Sequence, residues 1–136
     1  MQATVRASPN IALIKYWGKR DEKYNLPAVS SISITLDEIW TETKINFSPN
    51  HKRDILTINN VQQDDTRRVS DCIDSICGEH RNFACVSSKC NFPISAGLAS
   101  SSSAFSALVI AINQAVNKGY ELQDLANEAG KASGSA

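Results

Sequence analysis

Apolar and polar residues alternate through most of the first half of the chain, and the period then changes. Residues 3–7 and 11–17 are apolar-rich runs separated by Ser8-Pro9-Asn10, a turn-forming cluster, and they read as strands. Residues 32–36 alternate with period two, as a half-buried strand does. Residues 39–47 continue the theme, with Ile39, Thr41, Thr43, Ile45 and Phe47 on one face, and 54–58 read as a strand closed by an Asn59-Asn60 turn. Between 65 and 77 the period is helical, because Val69, Cys72, Ile73 and Ile76 fall at i, i+3, i+4 and i+7. Residues 83–90 read as a further strand. A long helix is predicted over 101–117 with apolar residues nearly all round, so it should be central and buried, and Lys118-Gly119 ends it. Residues 122–129 form a last short helix. Strands first, then mixed strand and helix, predict an α+β layered domain without internal repeats or linkers.

Composition narrows the function classes. The chain has 136 residues, which fits one domain, and at 42% hydrophobic and 21% charged it can bury a core. Lysine and arginine total 14 against 14 acids, divided +10/−8 over residues 1–68 and +4/−6 over the rest, so no basic stripe favours nucleic acid. The most apolar stretch, 104–116, is interrupted by Asn113 and Gln114 and falls short of the roughly 20 residues of a membrane span. The first ten residues lack the apolar run of a secretory signal. Cys72, Cys77, Cys85 and Cys90 form no Cys-x-x-Cys pair, so reduced thiols in a cytoplasmic protein are expected rather than a zinc site.

Three stretches carry candidate chemistry. In residues 91–105, NFPISAGLASSSSAF, a strand ends, a loop with Pro93 and Gly97 follows, and a helix begins among four consecutive serines. A helix start offers unpartnered N–H groups and a partial positive charge, so the stretch is either a phosphate cradle or an ordinary serine cap. It is not the Walker signature, since no Gly-Lys-Ser/Thr follows the loop. In residues 8–21, Lys15, Tyr16 and Lys19 surround Trp17-Gly18 at the end of an apolar run, which either lines an anion site or leaves the core for solvent. In residues 132–136, ASGSA, small residues make either a second anion-contacting turn or a tail.

Together these stretches resemble the diphosphomevalonate decarboxylases of the GHMP kinase superfamily. Residues 10–21, NIALIKYWGKRD, are similar to that family's N-terminal signature in order and spacing. Residues 26–36, LPAVSSISITL, resemble its second segment, 93–101 its phosphate loop, and 132–136 its Gly-Ser-Gly-Ser-Ala run. The resemblance implies the N-terminal part of a GHMP kinase-type domain (ribosomal protein S5 domain 2-like), with a mixed, largely antiparallel sheet packed with helices. It implies ATP and Mg²⁺ as cofactors, a small phosphorylated substrate and a homodimer; charge and apolar length already argue against a nucleic-acid or membrane partner.

Carried over by residue, the resemblance assigns the ATP phosphates to Ser100 and Ser101 with the backbone of Gly97, Leu98 and Ala99, and with Ser102 and Ser103 at the loop's edge. Ser100 or Ser101 would ligate the metal. Tyr16, Lys19 and Ser133 would contact the substrate diphosphate, and Asn10 would help orient a catalytic arginine. The implied reaction phosphorylates the 3-hydroxyl of mevalonate 5-diphosphate, then loses phosphate and CO₂ to give isopentenyl diphosphate. For the adenine, residues 59–63 and 87–91 are candidates, without a decisive motif.

Departures matter. Val29 stands where the family commonly has asparagine, and Gly130, Lys131 and Ala132 stand where it usually has two arginines and a glycine. The family's catalytic arginine and aspartate fall beyond the point matching Ala136, so residues 1–136 are expected to be an N-terminal ATP- and substrate-binding domain, incomplete at its C-terminal end, with the second domain absent. Such a chain is expected to be inactive alone and to expose apolar surface. The alternatives are a related decarboxylase or kinase acting on mevalonate or a mevalonate phosphate, or a non-catalytic nucleotide-binding fragment.

Overall fold

The computed structural model describes residues 1–14, 18–23, 26–94 and 100–134. The strands are β1 (Gln2–Ala7), β2 (Asn10–Ile14), β3 (Lys19–Asp21), β4 (Leu26–Pro27), β5 (Ile32–Thr35), β6 (Thr41–Phe47), β7 (Ile55–Ile58), β8 (Val61–Gln63) and β9 (Ala84–Cys90). The helices are α1 (Arg67–Cys77), α2 (Ser100–Val116) and α3 (Leu122–Ala132). A five-stranded sheet runs in the order β1-β6-β9-β7-β8. All its pairings are antiparallel except β7 with β9, where α1 makes the crossover that a parallel pair needs. The α+β expectation therefore holds.

The core lies between this sheet and the helices. On β6 the alternation read from sequence is realised: Thr41, Thr43, Ile45 and Phe47 all point inward and are buried. The helical spacing also translates directly, since Val69, Cys72, Ile73 and Ile76 are the buried face of α1. α2 packs on β1 and β6 with α1 and α3 beside it, and its Val109, Ala111 and Ile112 are inaccessible to solvent. It ends with Asn117 in the left-handed region, at φ 51°, two residues before Gly119. α3 runs three residues past its expected end. All four cysteines are free thiols, and burial first of all pushes the Cys72 thiol up to about 12.

A buried ion pair ties β7, α1 and β9 together. Arg81 donates to both oxygens of Asp54, at 2.8 and 2.6 Å, and to Asp74 at 2.7 Å. Ser70 and the Ala84 amide complete the shell around Asp54. Burial alone would raise the Asp54 carboxyl, but the hydrogen bonds from Arg81, Ala84 and Ser70 outweigh it and hold that carboxyl below its usual range.

Two small ribbons, β2–β5 and β3–β4, stand apart from the main sheet. In the first, Ile11 faces Ile34 and Ile14 faces Ile32, with a register shift between Ala12 and Ile14. That shift returns Ile14 to the face of Ile11, so four isoleucines share one side of the ribbon, and all four are exposed. The expectation of exposed apolar surface is met here. The sequence reading did not separate β3, β4 and β8, each of three residues or fewer.

Candidate functional site

α2 begins at Ser100, and its four serines divide by direction. Successive helical residues turn about 100°, so a run of four cannot share one surface. Ser103 turns to the sheet, where its hydroxyl meets that of Thr41 at 2.7 Å and donates to the Ser100 carbonyl at 3.2 Å. Ser102 is likewise buried. Ser100 and Ser101 instead line a cavity of about 310 Å³. The Thr41–Ser103 bond pins the start of α2 to β6, and that fixes where the first N–H groups of the helix stand.

The cavity has two kinds of wall. Leu56, Ile58, Val86, Phe105 and Leu108 make it apolar at depth, while Gln63, Arg68, Ser88, Cys90, Ser100 and Ser101 supply polar groups. Parts of both candidate adenine segments therefore border it, through Gln63 and through Ser88 and Cys90. The acid on the wall, Asp65, is neutralised locally: Arg67 donates to both its oxygens, at 2.9 and 2.6 Å, and holds it at about 2. No acidic residue occupies the first turn of α2, which leaves its dipole uncompensated.

Among the described residues Arg68 is the cation on the wall of this cavity, and the sequence reading missed it. It stands in the first turn of α1 with its guanidinium 4.8 Å from the Phe105 ring centroid, and it donates to the Ala132 carbonyl at 2.9 Å. These contacts bind α1, α2 and the end of α3 to one another. The sequence signal was slight: Arg68 lies four residues before Cys72, at the edge of the apolar stripe of α1. A planar guanidinium with further N–H donors suits phosphate oxygens.

The terminal run is ordered as far as it is described. Ser133 caps α3 in an extended conformation, its N–H donating to the Ala129 carbonyl at 2.8 Å. Its hydroxyl lies 3.4 Å from that of Ser101 and is buried. The structure thus brings together Ser101, Ser133 and Arg68 from three helices. Asn10 and Lys19 lie elsewhere: Asn10 is on β2 with its amide 3.5 Å from the Ser33 hydroxyl, and Lys19 is exposed on β3 opposite Pro27. Neither lines the cavity. Tyr16, Gly97, Leu98 and Ala99 are outside the described residues. Among the described residues no group of three or more His, Cys, Asp or Glu side chains is placed to hold a metal, and no helix is long and apolar enough to cross a membrane.

Comparison with known proteins gives one consistent result. Residues 7–136 match the model of the diphosphomevalonate decarboxylase-like N-terminal domain. The chain is 37% identical to the diphosphomevalonate decarboxylase of Saccharomyces cerevisiae over 98% of its own length and 38% of that protein's. For the enzyme of Danio rerio the figures are 36%, 98% and 36%. Among solved structures, the mevalonate diphosphate decarboxylase of Enterococcus faecalis superposes with a TM-score of 0.91 at 40% identity, covering 99% of this chain and 43% of that one. A structure described as MDDEF in complex with MVAPP, AMPPCP and magnesium matches with the same score and identity, over 99% and 42%. The chain therefore spans about two fifths of the length of the relatives it matches.

Proposed function

The chain belongs to the diphosphomevalonate decarboxylase-like family, in the region of its N-terminal domain, and on that premise we propose that it binds ATP and a phosphorylated mevalonate for ATP-dependent decarboxylation. The observation that carries this reading is the meeting of Ser101, Ser133 and Arg68 beside the start of α2. Each of these groups is a hydrogen-bond donor, and the helix adds its N–H groups and partial positive charge. Phosphate is the ligand such a set recognises best.

Division of the site follows from its walls. The apolar depth, with Gln63 and Ser88 at its edge, takes the purine. Ser100 and Ser101, with the backbone of Gly97, Leu98 and Ala99, take the ATP phosphates, and Ser102 helps to close that loop. Ser133, with Tyr16 and Lys19, takes the substrate diphosphate. Asn10 supports a catalytic arginine. Arg68 stands between the two phosphate groups, in contact with the backbone beside Ser133 and with the cavity that Ser101 lines.

Mg²⁺ fits the donor set. This ion keeps several waters and is held largely by substrate phosphates, so the hydroxyl of Ser100 or Ser101 would hold it together with the ATP phosphates. When bound, it neutralises phosphate charge. The relative described in complex with MVAPP, AMPPCP and magnesium supports a nucleotide with Mg²⁺.

The chemistry makes modest covalent demands. The 3-hydroxyl of mevalonate 5-diphosphate is phosphorylated, phosphate leaves, and CO₂ departs as the double bond of isopentenyl diphosphate forms. Positive character grows at C3 as phosphate leaves. Catalysis then rests on positioning, charge neutralisation and exclusion of water. These residues supply the nucleotide site and part of the substrate site. Turnover also needs the arginine and aspartate that the family resemblance puts outside them.

The test is a substrate series on the protein at its full natural length. ATP-dependent CO₂ release from mevalonate 5-diphosphate, absent with mevalonate and its 5-phosphate, is expected. Preferential turnover of either of the latter would contradict the substrate assignment, and turnover by residues 1–136 alone would contradict the division of labour.

A further inference from the structure

Two side-chain amides at the end of β9 have a geometry that the nucleotide reading does not itself require. The parallel ladder of β7 with β9 closes at Ile58 opposite Ser88, and the antiparallel ladder of β6 with β9 closes at Thr41 opposite Cys90. Beyond these points the neighbouring chains diverge. Asn59 still donates its N–H to the Ser88 carbonyl at 2.9 Å. Asn59 and Asn60 then take φ of 47° and 67°, the left-handed pair that turns the chain back into β8.

That turn carries the main chain away from Cys90. The Asn59 side chain fills the gap, its Oδ1 accepting the Cys90 N–H at 2.9 Å. On the opposite side Asn91 donates its N–H to the Trp40 carbonyl at 3.2 Å. The returning bond, from the Trp40 N–H, goes to the Asn91 side-chain Oδ1 at 2.7 Å. Asn91 Nδ2 reaches further, to the Glu38 carbonyl at 3.0 Å. Side-chain amides thus take over rungs that backbone groups fill elsewhere in the sheet. The main chain is held on both edges at the point where it leaves the sheet. Phe92, buried, follows at once, and Cys90 and Ile94 already line the cavity. Residues 95–99 then lead to Ser100.

We propose that Asn59 and Asn91 are positioning residues for the phosphate-binding segment, clamping its entry from the β7–β8 turn on one side and from residues 38–40 on the other. This rests on the nucleotide reading above. Both residues fall in the segments named as adenine candidates, but neither lines the cavity. Their effect is to fix the main chain at Cys90 and Asn91, where it leaves β9 on the way to Ser100.

The experiment measures the dissociation constant for AMPPCP with Mg²⁺ by calorimetry, alongside Tm and the exchange rates of the Cys90 and Trp40 amides. The variants are Asn59→Gly, Asn59→Asp, Asn91→Ala and, as a control for stability alone, Ser70→Ala. Glycine preserves the left-handed turn, so Asn59→Gly removes the amide without straining the backbone. Asn59→Gly and Asn91→Ala are expected to weaken binding about tenfold and to speed exchange at Cys90 and Trp40 respectively. Asn59→Asp retains the acceptor and is expected to restore binding. Ser70→Ala is expected to lower Tm and leave affinity unchanged. The clamp is overturned if affinity merely follows Tm across all four variants, or if Asn59→Gly and Asn91→Ala bind as the wild type does. Failure of the wild-type protein to bind AMPPCP would overturn the nucleotide reading and this one with it, so the two failures are distinguishable.

Discussion

The hydroxyls of Ser101 and Ser133 lie 3.4 Å apart although 32 residues separate them. One stands in the first turn of α2 and the other closes α3, so the contact joins the start of one helix to the end of another. Arg68 spans the same junction, against Phe105 of α2 and the Ala132 carbonyl of α3. In the proposed reading Ser101 takes ATP and Ser133 the substrate, so two phosphate-bearing ligands would meet here. Phosphoryl transfer needs ATP and substrate held side by side, although the bond forms at the 3-hydroxyl and not at the diphosphate itself.

The inward and outward serines should separate in their effects. Ser101→Ala removes a donor on the cavity wall, and with it the 3.4 Å acceptor of the Ser133 hydroxyl, and should weaken nucleotide binding about fivefold, the worth of one ordinary hydrogen bond, with a smaller loss of stability than the Ser103 variant. Ser103→Ala leaves the buried Thr41 hydroxyl without its 2.7 Å partner and should cost about 1–2 kcal/mol of stability. Calorimetric titration and urea denaturation on both variants check the split. Equal stability losses would contradict it.

The Asp54–Arg81 pair should set the acid limb of stability. In the folded protein Asp54 titrates below its ordinary value of 3.8. The folded state therefore binds fewer protons than the unfolded state across that interval. The contribution is complete above the ordinary value and is lost as pH falls through the lower, folded one. Asp54→Asn should cost about 3 kcal/mol at neutral pH, because it breaks a buried pair and strands Arg81. It should also flatten the decline of stability toward low pH. Denaturation midpoints measured from pH 7 down to acid check both, and an unchanged acid slope would contradict the assignment.

The isoleucine face of the β2–β5 ribbon should behave as accessible apolar surface in residues 1–136. Ile32 is 57% exposed and Ile34 52%, so each gains little from burial within this chain. Replacing both by threonine should reduce binding of the dye ANS and self-association, with Tm almost unchanged. Fluorescence titration and analytical sedimentation check this. A large fall in Tm would mean that the ribbon is covered within the chain itself.

What was legible in the sequence is what short-range periodicity encodes. Val69, Cys72, Ile73 and Ile76 declare the buried face of α1, and Thr41 to Phe47 declare the inward face of β6, because burial repeats at the period of the element itself. β8 is three residues with a single exposed valine and carries no period to read. The sequence puts Ser102 and Ser103 at the edge of the phosphate loop, and helical rotation turns Ser103 to Thr41 while Ser100 and Ser101 line the cavity. Arg68 was illegible for a different reason. Its partners, Phe105 and Ala132, are 37 and 64 residues away, and only tertiary packing brings them together.

The location of the nucleotide site is tested most directly by amide NMR on isotopically labelled protein titrated with AMPPCP and Mg²⁺. Saturable shifts are expected to gather at Gln63–Arg68 on the approach to α1, at Ser88–Ile94, and in the first turns of α2, leaving the β2–β5 ribbon undisturbed. Arg68→Gln should weaken the same titration by about tenfold or more, the scale of a charge-assisted hydrogen bond. Absence of saturable shifts, or shifts that gather away from the start of α2, would contradict the account.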